Sequence, residues 1–147
     1  MANQFNDKLG YLGTWINAAK SQTVSATSTF EAFQPVLVND LSLQYNAEIF
    51  RDTIKINEKG IWKVDFAGTF SDATNDDMEL KIDTESQGLN TAPVKWNARG
   101  GNNWAISYSV ILNILDTGSN LVLFIRNNTD TAEISLSHGI LTLVKLY

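Results

Sequence analysis

No cysteine occurs in the 147 residues, which removes disulfide staples, thiolate nucleophiles and cysteine-based zinc sites together. Stability must come from packing or from association. Histidine occurs once, at His138, so two-histidine metal motifs are excluded and little is left for a hydrolytic triad. No apolar run is long enough to cross a bilayer as a helix, and the opening MANQFNDKLGYLG lacks the basic stretch and apolar block of a secretory leader. The expectation is a chain that stays in the compartment where it is made, or leaves it by lysis. Positive charge is sparse and scattered. Lysine and arginine number 11 against 16 acidic residues, a net charge of −5 with no basic cluster to meet a phosphate backbone. Neither nucleic acid nor membrane insertion is expected.

What the chain does have is alternation. In GIWKVDFAGTFS, residues 60–71, Trp62, Val64, Phe66 and Phe70 point one way while Ile61, Lys63, Asp65, Ala67 and Thr69 point the other, the pattern of a strand. From Thr23 onward short β-rich runs are separated by NEKG, DATNDD, ESQG, ARGGNN and LDTGSN, the turn chemistry and spacing of an all-β sandwich or barrel. Strands are expected at 23–32, 36–38, 41–45, 53–56, 61–70, 78–83, 93–96, 104–115, 120–126, 132–136 and 140–147. A chain of this length hides roughly two-thirds of its unfolded surface in a single core. The beginning reads differently, because Phe5, Leu9, Leu12 and Ile16 share one helical face that Gly10 and Gly13 interrupt. Residues 1–21 are therefore set apart as an arm, with Phe5, Leu9, Leu12, Trp15 and Ile16 as attachment candidates, and 22–147 as the head domain.

Later strands lack a clean polar face. In NLVLFIRN, Leu121, Leu123 and Ile125 alternate with Val122 and Phe124, and in GILTLVKLY, Ile140, Val144 and Leu146 alternate with Leu141, Leu143 and Tyr147. Strands apolar on both sides need a second cover, and with no helix to supply it the expected cover is another copy of the chain.

The order TFEAF, IKINEKGIWKVDFAGTFS, ISYSVILNILDTGSNLVLFIRN and SHGILTLVKLY resembles the jelly roll shared by tumour necrosis factor cytokines and the globular heads of the first complement component. Gly60 before Trp62 and Val64 resembles that family's Gly-x-aromatic strand. Gly118 before Leu121 and Leu123 resembles its hairpin, and Gly139 before Ile140 and Leu141 its last strand. The resemblance covers residues 29–147 and implies an all-β, ten-stranded, two-sheet jelly-roll sandwich forming tight homotrimers, with both termini at one end and binding loops elsewhere. Similar trimeric heads occur in bacteriophage fibres, capsid decorations and spore surfaces. The expected product is a non-enzymatic virion protein, a head fibre, capsid decoration or fibre head. Its arm would bind a capsid or fibre protein, and its loops would face a host-surface glycan or protein. The alternative is an extracellular cytokine-like or lectin-like ligand.

Residues follow from that reading. The odd side of the strand at 104–115 and the closing strands supply trimer-interface candidates Ser107, Ser109, Ile111, Phe124, His138, Leu141, Leu143 and Tyr147. Aromatics beside the flexible NARGGNNW suit stacking on sugar or protein, giving ligand-loop candidates Trp96, Arg99, Asn102 and Asn103. The acidic loop SDATNDDMEL offers Asp72, Asp76 and Asp77 as hard oxygen ligands for calcium, without the ordered spacing and central glycine of a dedicated calcium loop, and no other cofactor is expected. Asp65, Glu58, Asp83 and Glu85 form no recognisable acid pair for glycoside cleavage. The sequon Asn127-Asn128-Thr129 matters only on a secretory route.

Overall fold

A computed structural model describes residues 9–18, 20–26, 29–33, 36–37, 43–50, 53–72, 76–99 and 103–147. Among them the strand segments are β1 (Tyr11–Ala18), β2 (Lys20–Val24), β3 (Glu31–Phe33), β4 (Val36–Leu37), β5 (Gln44–Tyr45), β6 (Ala47–Phe50), β7 (Thr53–Ile56), β8 (Gly60–Asp72), β9 (Asp76–Thr84), β10 (Val94–Ala98), β11 (Asn103–Ile114), β12 (Ser119–Asn127) and β13 (Ala132–Lys145). The 7-stranded sheet runs β11-β8-β13-β1-β4, with β2 also on β13 and β5 also on β1, and the 6-stranded sheet runs β10-β9-β12-β7-β6, with β3 also on β12. Every ladder between these strands is antiparallel. The two sheets face each other as a jelly-roll sandwich.

The alternation of β8 sets the core. Trp62, Val64, Phe66 and Phe70 are buried, and β11 lays Ile106, Tyr108, Leu112 and Ile114 beside them while β9 faces them with Met78, Leu80 and Ile82. Gly118, at φ 78°, turns the chain between β11 and β12 in a conformation that glycine adopts without strain. Ladders fix two ends. At the lower end Ile114 meets Gly60 and the Tyr147 carbonyl accepts from Ile61 N–H, while at the upper end Ser71 lies between Asn103 and Ser135.

The start of the chain departs from the expected arm. Residues from Tyr11 onward form a strand hydrogen-bonded along β13, with Tyr11 opposite Val144 and Thr14 opposite Leu141. Leu12 is a buried core residue, Leu9 is exposed, Trp15 and Ile16 are in β1 with side chains outside the described set, and Phe5 lies outside the described residues. Any free segment therefore ends before Leu9.

Gly10 interrupts a helix in the sequence but has a different role in the fold. A Cβ there would collide with the indole ring of Trp62, whose Nε1 donates to the Glu58 carbonyl at 3.0 Å and whose side chain is fully buried. Gly10→Ala is expected to cost about 1–3 kcal/mol through forced repacking. Urea unfolding of the variant against the parent measures it.

Strand β13 explains a second difference. Its pairing with β8 slips between Leu136 and His138, a bulge that places Ser137 as the extra residue. Before the bulge Ile134 and Leu136 point inward, and after it Leu141 and Leu143 do. The two expected interface residues Leu141 and Leu143 are thus core residues, and Ile140 and Val144 face outward instead.

Candidate functional site

The outer face of the 7-stranded sheet is the apolar surface that the fold leaves open. Among the described residues the exposed large apolar side chains are Leu9, Tyr11, Leu43, Tyr45, Ile111, Leu115, Ile140, Val144, Leu146 and Tyr147. All belong to strands of this sheet or lie within two residues of their ends. Pairing aligns Ile111, Lys63, Val144, Tyr11 and Tyr45 in one row across β11, β8, β13, β1 and β5. The tyrosine rings stack at 5.9 Å and 21°. One row up, Ser109, Asp65, Thr142 and Gly13 align, and Ser109 Oγ donates to Asp65 Oδ1 at 2.7 Å while Lys63 Nζ lies 3.7 Å from Asp65 Oδ2. The row above holds Ser107, Ala67 and Ile140.

Small side chains in these two rows leave a shallow hollow of about 430 Å³ lined by Asp65, Ala67, Ser107, Ser109, Ile140 and Thr142. Toward the upper end the same face turns polar, with Thr69 beside His138 and Ser21 Oγ 2.7 Å from Ser135 Oγ. His138 is exposed, its Nδ1 3.1 Å from Ser137 Oγ. Of the expected interface residues, Ser107, Ser109, Ile111 and His138 lie on this open face, and Tyr147 is exposed at its lower end.

Phe124 does not join them. It sits on β12 in the other sheet, pointing away from the core yet only 4% exposed. Over β9 and β12 the second face of the 6-stranded sheet is covered by the chain itself. On β9, Glu79, Lys81 and Asp83 point outward and are nonetheless buried. Phe30, from the strap between β2 and β3, lies over them, its ring 4.6 Å from Lys81 Nζ and 4.3 Å from Arg126 Cζ. Cations against an aromatic face gain attraction once water is excluded. Asp83 then organises the β9–β10 loop, accepting from the backbone N–H of Thr84 at 2.7 Å and of Leu89 at 3.1 Å, with Lys81 Nζ 3.4 Å away.

Glu79 is the hub of this ladder at its upper end. Its carboxylate accepts from Arg126 Nε and from Asn128 Nδ2 at 2.8 Å, with Lys95 Nζ at 3.3 Å. Burial pushes its pKa up, but the hydrogen bonds from Asn128, Arg126 and Lys95 and the attraction of Arg126 outweigh burial and hold it below the ordinary glutamate value. A carboxylate with a lowered folded pKa contributes stability that is complete above its unfolded value and is lost as pH falls through the folded one. Thermal unfolding midpoints are expected to fall once the pH drops below about 4. Glu79→Gln lowers the midpoint at neutral pH and flattens that acid slope.

The ligand and metal candidates are dispersed. Trp96 packs against the core with its ring 5.6 Å from that of Phe70, and its partly exposed remainder lines a surface hollow with Lys95 and Asn97. Arg99 and Asn103 are exposed, and Asn102 lies outside the described residues. Asp76 is buried and Asp77 is exposed with its carboxylate bonded by Asn97 Nδ2, while the Asp72 side chain lies outside the described set. Among the described residues no three acidic or histidine groups converge to hold a metal ion. Asn127 of the sequon is fully buried and its Oδ1 accepts from Thr129 N–H at 2.9 Å, which makes it a turn residue. At the lower end the loops after β9 and β11 enclose a separate hollow of about 550 Å³ edged by Glu85, Leu89, Asp116 and Asn120. Sequence reasoning missed Tyr11 and Tyr45 as a pair, and weighed Asp83 only as a catalytic acid, not as the organiser of a loop. The every-second-residue charges Glu79, Lys81 and Asp83 just before a turn were the signal available for the latter.

Sheet order, register and closed core define a jelly roll of the tumour necrosis factor type. A scan against family models finds no match, and neither does a search of curated sequences. Solved structures agree on the fold. Murine APRIL at pH 5.0 is 20% identical with a TM-score of 0.61, covering 95% of this chain and 100% of that one. Eiger TNF from S. frugiperda is 13% identical at 0.59, covering 94% of each chain. PRD1 vertex protein P5 is 13% identical at 0.52, covering 94% of this chain and 97% of that one.

Proposed function

We propose that the chain is a non-enzymatic, homotrimeric virion protein that attaches to a larger particle through the residues before Leu9 and presents its upper loops to host or environment. One observation carries it: among the described residues, the exposed large apolar side chains are gathered on and around a single sheet face. Such a patch on a soluble protein marks an interface, and at roughly 25 cal/mol per Å² its burial rivals the stability of a whole domain. Threefold assembly also multiplies weak loop contacts into avidity. The virion assignment draws support from the shared fold with a vertex protein, the PRD1 protein P5. A second reading, a soluble cytokine-like or lectin-like ligand, draws equal support from the fold shared with APRIL and Eiger.

Native mass measurement comes first, with three copies expected and one copy at micromolar concentration fatal to the proposal. Labelling of the source particles with antibody to the chain then separates the readings. Label on particles, lost when residues 1–8 are deleted while the trimer persists, supports attachment. Label confined to the surrounding medium favours the ligand reading, and glycan screening then distinguishes lectin from cytokine.

A further inference from the structure

Closed threefold rings require each contact to join two different patches, because a patch that pairs with itself closes a dimer. The open face of the 7-stranded sheet carries two patches of opposite shape. On the β1/β5 side the stacked rings of Tyr11 and Tyr45 stand out beside Leu43, whose side chain reaches the Cβ position of Gly13 at 3.9 Å. Across β11, β8 and β13 lies the hollow, floored by Ala67, Ser107 and Ser109 and edged by Ile140 and Thr142, with exposed Ile111 as its apolar shoulder and the Asp65 carboxylate in its wall. At about 4.8 Å per strand, Tyr45 on β5 stands three strands from Asp65 on β8, beyond its own side chain's reach. Tyr45 cannot bond the Asp65 of its own chain.

Their chemistry matches as well as their shape. The hollow is bounded by small side chains and an anionic acceptor that keeps lone pairs beyond those used by Ser109 and approached by Lys63. The knob offers the exposed parts of two aromatic rings, 45% for Tyr11 and 38% for Tyr45, each tipped by a phenol donor.

We infer that the Tyr11–Tyr45 knob of one copy seats in the Asp65–Ala67–Ser107 hollow of the next, a phenol donating to Asp65, so that the trimer closes head to tail. The occupant is a second copy of this chain, and the inference rests on the trimeric reading above. Aromatic anchors in central pockets carry a large share of interface energy, so Tyr45→Glu should weaken association by at least about thirtyfold. Ser107→Glu, which blocks the hollow with charge, should do the same.

The test is complementation. Each variant alone is expected to be a single copy, because each retains only half of the contact. Mixed in equal amounts at micromolar concentration, they should form a 1:1 pair that grows no further, the intact Tyr45 of one seated in the intact hollow of the other. Wild type as a single copy would sink the trimer and this pairing together. A trimeric wild type with a variant that still trimerises, or with a mixture that stays single, overturns this pairing alone. Should either charged variant fail to fold, thiols give a second route, since the chain has no cysteine of its own. Tyr45→Cys with Ser107→Cys in one chain should oxidise to covalent trimers, and each single-cysteine variant should not cross-link. Cross-linking by either single variant means that like meets like, and no cross-linking of the double variant means that the patches do not touch; both outcomes refute the pairing.

Discussion

Replacing Asp83 by alanine is expected to destabilise the fold by about 3–5 kcal/mol, read as a shift of the urea midpoint, because it strands a buried cation. Asp83 is fully buried and Lys81 is 7% exposed, its ammonium otherwise held against the rings of Phe30 and Phe124. The same carboxylate accepts the Thr84 and Leu89 N–H groups, so its loss also orphans backbone donors at the start of the loop. The loop's far end has its own ties, Thr91 Oγ1 donating to the Ile82 carbonyl at 2.7 Å and Tyr108 OH to the Ala92 carbonyl at 3.0 Å. Damage is therefore expected to centre on residues 84–90 and on Lys81. Asp83→Asn retains one acceptor for the backbone but still leaves Lys81 unpaired. Combining it with Lys81→Met removes both charges, and most of the lost stability should return. A double variant as unstable as Asp83→Ala would assign the cost to the loop and not to the ion pair.

How much of this was legible in the sequence depends on what each strand faces. Residues of β8 and β11 alternate cleanly because one side meets the core and the other meets small or polar neighbours, so Trp62 and Leu112 could be placed from spacing alone. Strand β1 escaped because its outward Tyr11 and Gly13 are an aromatic and a glycine, and its inward residues include Thr14, which is buried although polar. That inversion comes from the open face, whose outward side chains are not those of a solvated sheet. Strand β13 misled through a bulge, since no spacing rule signals that Ser137 adds a residue and reverses every side chain after it. On β9 alternating charges are the ordinary pattern of a solvated face, yet the strap carrying Phe30 and the loop tied to Asp83 bury them. A non-local cover of this kind leaves no local trace in β9 itself.

For the proposed trimer, Ile140→Asp is expected to reduce three copies to one at micromolar concentration, with little effect on the folding of the separate subunit. Ile140 is 45% exposed on the single chain and borders the hollow next to Ala67, so an aspartate there stays wet in an isolated copy. Surface substitutions of that kind usually change stability by no more than about 0.5 kcal/mol. In the assembled state the same carboxylate would be dehydrated beside Asp65, and an unpaired buried ion costs several kcal/mol. A trimer bears that cost once per copy, which multiplies a single substitution into the largest effect anticipated for the molecule. Glu48→Lys supplies the contrast, since Glu48 is exposed on β6 of the 6-stranded sheet, away from the open apolar face. It should leave the native mass unchanged. If Glu48→Lys breaks the assembly and Ile140→Asp does not, the copies meet through the other sheet, and the apolar rows from Ile111 to Tyr45 need a different partner.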